Sequence, residues 1–112
     1  MGGLTGAAMQ STNTDIDTAR QMLAEHPAGN TAQIVLGLPN KDSTPDKVDQ
    51  LIAALPPDLP LIIGLLDDAS DSAALLARII DNIDSGAVRL LAKEQAVTAA
   101  GAPTTLYLLE KA

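Results

Sequence analysis

Apolar residues in this chain recur in two rhythms that alternate along it. Ile16, Ala19, Met22 and Leu23 stand at helical spacing after Thr14-Asp15, and Asp15 and Asp17 suit a helix N-terminus. His26-Pro27-Ala28-Gly29 ends that helix, because proline cannot continue it. Gln33–Leu38 is an apolar, β-branched run of strand length, broken by Pro39-Asn40-Lys41-Asp42. Thr44-Pro45-Asp46 combines a capping residue, a first-position proline and a first-turn acid. The helix it starts carries Val48, Leu51, Ile52 and Leu55 on one face and closes at Pro56-Pro57-Asp58.

The same alternation continues. Leu61–Leu66 predicts a second strand, and Leu75, Leu76, Ile79, Ile80 and Ile83 mark one side of a helix that stops at Asp84-Ser85-Gly86. Val88–Ala92 predicts a third strand, Lys93–Ala100 a short helix ended by Gly101-Ala102-Pro103, and Thr104–Leu109 a fourth strand. Strands alternating with helices imply parallel pairing through helical crossovers. Continuously apolar strands imply helices on both sheet faces. The expected fold is therefore α/β: a small, mostly parallel sheet of about four strands with helical crossovers, preceded by an N-terminal helix. Residues 1–13, rich in Gly, Ala, Ser, Thr and Asn, read as a flexible tail. Residues 14–112 read as a single domain.

Composition narrows the function classes. The chain has 112 residues, 46% of them hydrophobic, which is enough for a core without staples. It contains no Phe or Trp, and Tyr107 is the sole aromatic, so platforms for stacking bases are lacking. The formal net charge is −7, from 14 acidic and 7 basic residues. That charge repels phosphate backbones and anionic membranes, so neither a nucleic acid nor a membrane is an expected partner. It also serves solubility and leaves basic proteins or cations as the natural partners. There is no cysteine, which removes disulfides and thiol chemistry and fits the reducing cytoplasm.

In open parallel sheets, ligands bind beyond the carboxyl ends of the strands. The sharpest feature there is Asp67-Asp68, directly after the second predicted strand. With Asp42 after the first strand, these carboxylates are the candidate ligands for Mg²⁺, which takes one or two carboxylates plus waters. Lys93 is the candidate phosphate contact. An acid pair, a strand-end lysine and strand-end hydroxyls resemble the site of phosphoacceptor receiver domains. Receivers, however, have five strands and carry the acid pair after the first. The plainer reading of Asp67 and Asp68 is a solvated loop that caps the next helix.

Other catalytic arrangements lack parts. His26 is the single histidine, so a triad or histidine metal cluster has little to build on. Phosphate-cradling glycine motifs are absent. Tyr107 lies within an apolar strand and reads as core. The balance is against an enzyme. The expectation is a non-catalytic protein-interaction or regulatory module, or a subunit of a larger assembly, working through a protein partner or self-association and needing no cofactor. The alternative is a Mg²⁺-dependent phosphate-handling domain.

Overall fold

Two threonines show how local chemistry starts the helices. The protein is described by a computed structural model covering residues 13–26, 32–40 and 43–112. Helix α1 spans Asp15–Glu25, α2 spans Pro45–Ala53 and α3 spans Ser72–Asp84. Thr14 Oγ1 accepts from the Asp17 N–H and Thr44 Oγ1 from the Lys47 N–H, each at 3.3 Å. Each bond reaches a first-turn donor, and the Lys47 N–H also donates to the Thr44 carbonyl at 3.0 Å. Pro45 occupies the first helical position of α2, where a missing N–H costs nothing. At the other end of α1, the His26 N–H donates to Met22 O at 2.9 Å. Of the segment read as a tail, only Asn13 falls among the described residues, and its carbonyl accepts from the Val97 N–H at 3.1 Å.

Four strands form one sheet: β1 Gln33–Leu38, β2 Leu61–Leu66, β3 Val88–Val97 and β4 Pro103–Lys111, in the order β1-β2-β4-β3. The expected α/β class, strand number and leading helix are present. The sheet is mixed rather than mostly parallel. Only β1 and β2 pair in parallel, whereas β4 runs antiparallel to both β2 and β3.

The cause is local to residues 93–102. Lys93–Val97 continues β3 instead of starting the expected helix. Lys, Glu, Gln and Ala all have good helix propensity, but propensity is a weak prior against tertiary pairing. Here Glu94 pairs with Leu106, Gln95 with Thr105 and Ala96 with Thr104. The connection between the strands is hairpin-sized. Thr98 N–H donates to Ala102 O and Gly101 N–H to Thr98 O, both at 2.8 Å. Gly101 has a φ of 87°, a left-handed conformation that glycine adopts without a Cβ clash. A hairpin leaves no room for a crossover helix, so β4 must return antiparallel.

Both faces of the sheet are covered, as the apolar strands require. On one face α2 and α3 bring Val48, Ile52, Leu75 and Ile79 against Leu61, Ile63, Leu65, Tyr107 and Leu109. On the other, α1 brings Ala19 and Met22 against Ile62, Ala96, Leu106 and Leu108. The central strands β2 and β4 are buried along nearly their whole length, while β1 and β3 lie at the margins and are only partly covered. Helix α2 packs chiefly against α3. Asp49 of α2 accepts from Arg78 and, at 2.9 Å, from Asn82 Nδ2, both on α3. These bonds, Asn82 foremost, hold the Asp49 carboxyl below its ordinary pKa against a smaller opposing effect of burial.

Candidate functional site

Two concave regions adjoin the carboxyl ends of the strands. The first opens at the end of β2, with a volume of about 460 Å³ and walls that include Leu66, Asp67, Asp68, Ser72 and Tyr107. Its polar groups are largely spent on one another. Asp67 accepts from the Thr105 hydroxyl at 2.7 Å, and Thr105 Oγ1 accepts from Gln95 Nε2 at 2.8 Å. Thr104 Oγ1 donates to Leu65 O at 2.9 Å, and the Ser72 hydroxyl donates to Leu66 O. The Tyr107 phenol is pushed above its ordinary pKa, first by burial and then by the negative charge of Asp67, so it stays protonated at neutral pH.

Asp67 and Asp68 therefore lie together on this cleft, and Thr105, Gln95, Ser72 and Tyr107 are neighbours that sequence reasoning missed. Adjacent Thr104 and Thr105 at a strand opening were the available signal, since buried hydroxyls need partners. Asp67 braces β4 rather than capping α3. Asp71 occupies the cap position of α3 and makes no side-chain bond there.

Of the other predicted residues, Lys93 does not join this cleft. Asp42 lies outside the described residues. Lys93 is exposed in mid-strand opposite Tyr107. The backbone of Asp67 bonds to Pro103, which pairs with Val97, so Lys93 sits four residues back and two strands across. That is roughly 13 Å along the strands and 10 Å across them, too far to share a phosphate oxygen with Asp67. Glu110 is at the opposite end because β4 is antiparallel, and it pairs there with Arg89 at 2.7 Å. Among the described residues, no group of three or more His, Asp or Glu side chains is placed to hold a metal ion.

The second region is a groove of about 410 Å³ between β1 and α2. Val35 and Leu38 of β1, Val48, Leu51 and Ala54 around α2, and Leu75 of α3 make it mainly apolar. Asn40, Ser43, Thr44 and Lys47 form its polar end at the first turn of α2. Lys47 is its one charged side chain among the described residues and makes no ion pair there. Beside the groove runs the outer margin of β1, which no strand among the described residues joins and where Ile34 is 44% exposed. Sequence reasoning could not find this groove, because its residues are ordinary aliphatics whose meaning depends on β1 being an edge strand.

No protein-family model matches the chain, and no curated protein or solved structure shows significant similarity to it. No helix among the described residues is long and apolar enough to cross a membrane.

Proposed function

We propose that this protein is a non-catalytic protein-interaction module whose binding surface is the groove between β1 and α2. The observation that carries this reading is an open, mainly apolar groove beside a sheet margin that no described residue covers. Apolar concavity of this kind marks sites where a partner's side chains leave water. A regulatory or assembly role follows from the same surface, with a protein partner or a second copy as occupant.

Amide NMR tests the reading directly. Peptides selected from a random library on the whole chain are expected to shift Val35, Leu38, Lys47, Leu51 and Ala54. Shifts confined to other surfaces would refute it. The alternative, Mg²⁺-dependent phosphate handling, draws support from Asp67 and Asp68 facing one cleft. Titration with Mg²⁺ and then beryllofluoride separates the two. Weak shifts spread over many carboxylates are expected, and saturable shifts confined to Asp67, Asp68 and Ser72 would favour the alternative.

A further inference from the structure

The margin of β1 has unused backbone groups on the side that adjoins the groove. In a parallel ladder each residue turns its N–H and C=O to the same side, and successive residues alternate. Gln33 donates its N–H to Pro60 O at 2.9 Å, toward β2. Ile34 therefore turns both of its groups outward, and Leu36, joined by a planar peptide to inward-facing Val35, turns its N–H outward before the register shifts between Val35 and Leu38. Among the described residues no strand lies on that side. Unpaired N–H and C=O groups along an edge are a template for another strand.

Side-chain chemistry on both faces of this edge agrees with that template. On the α2 side, a residue opposite Val35 would enter the groove toward Leu51. On the other face its neighbour would lie beside exposed Ile34. At the groove's polar end stands Lys47, whose charge is complementary to a carboxylate. The chain as a whole carries a net charge of −7, which disfavours a run of acids and favours a single one.

Resting on the groove reading above, we infer that the occupant is an extended segment of a partner protein that adds to β1 as a fifth strand, with aliphatic side chains at successive positions and one carboxylate beside Lys47. Backbone hydrogen bonds to Ile34 and Leu36 would hold the segment, and the groove would select its side chains.

The test uses phage-displayed random heptapeptides on the full chain, followed by synthetic versions of those recovered. An aliphatic consensus with one acidic group at a fixed position is expected. Methylating single peptide nitrogens should weaken binding by roughly tenfold at every second position, because only alternate N–H groups face β1. Hydrogen exchange at Ile34 and Leu36 should slow in the complex. Lys47→Glu should weaken acidic peptides and be rescued by Lys in place of the peptide's acid.

Loss of binding in Leu51→Lys without any two-residue period in the methylation scan would overturn strand addition while leaving the groove as the site. Failure to recover peptides, or recovery of peptides that shift other surfaces, would overturn both. A concentration-dependent dimer of the free protein that slows the same two amides would make a second copy the occupant and overturn the partner segment.

Discussion

The end of β2 and the margin of β1 belong to the two parallel strands of the sheet and are built on opposite terms. At the end of β2, polar residues meet one another: Asp67 with Thr105, Thr105 with Gln95, Thr104 with Leu65 O, Ser72 with Leu66 O. At β1 the side chains lining the groove are aliphatic, and no strand among the described residues pairs with the outer side of its backbone. The residues that look most chemical in the sequence thus close a structural junction. The residues that look bland surround the region with capacity left over.

Substitutions can break this contrast. Thr104 is fully buried, and Thr104→Val keeps its shape while deleting the hydroxyl that donates to Leu65 O. It should cost about 1–3 kcal/mol in chemical denaturation, the range for unpairing a buried polar group. An unchanged midpoint would show that the junction is not held by its polar bonds. Gly101→Ala places a Cβ at a φ of 87° with no atom within 4 Å, so the cost is backbone strain alone. About 1 kcal/mol is expected. A neutral result would argue against the hairpin that brings Thr104 and Thr105 beside Asp67.

Acid should loosen the groove wall. The Asp49 carboxyl sits below its ordinary pKa in the folded protein, so its bonds to Asn82 and Arg78 contribute stability above the unfolded pKa. That contribution is lost as pH falls through the lower, folded value. Melting temperature should therefore drop more for the native protein than for Asp49→Asn between neutral pH and about pH 3. Equal drops would leave α2 held to α3 by apolar packing alone. The smallest effect belongs to the β1 margin. Ile34→Thr keeps a β-branched side chain on an exposed position and should change stability by less than about 0.5 kcal/mol. A larger loss would mean that Ile34 is part of the core.

Much of the fold was legible because its signals are local. Thr44-Pro45-Asp46 specifies a helix start whatever surrounds it, and the apolar runs of β1 and β2 are strand-length and flanked by turn-forming residue types. Lys93–Val97 was misread because its residues prefer a helix in isolation, and only the rows opposite Thr104, Thr105 and Leu106 make it a strand. That single misreading turned a hairpin into a crossover and a mixed sheet into a parallel one. The position of Asp67 and Asp68 after β2 was legible for the same local reason. Their bonding was not, because Thr105 is far away in sequence. The groove was invisible for a broader reason: a strand's place at the margin is a property of the whole sheet order.

One feature of that order bears on how the molecule is made. β4, the last of the four strands in the chain, lies between β2 and β3. A chain emerging from the ribosome presents β1, β2 and β3 first, yet β3 has no neighbour to join until residues 103–111 are outside the exit tunnel. Until then Ile62 and Ile63 of β2 lack the strand that seals their flank, and the nascent chain exposes a second open edge. Completion of the sheet is thus timed by translation of its central strand.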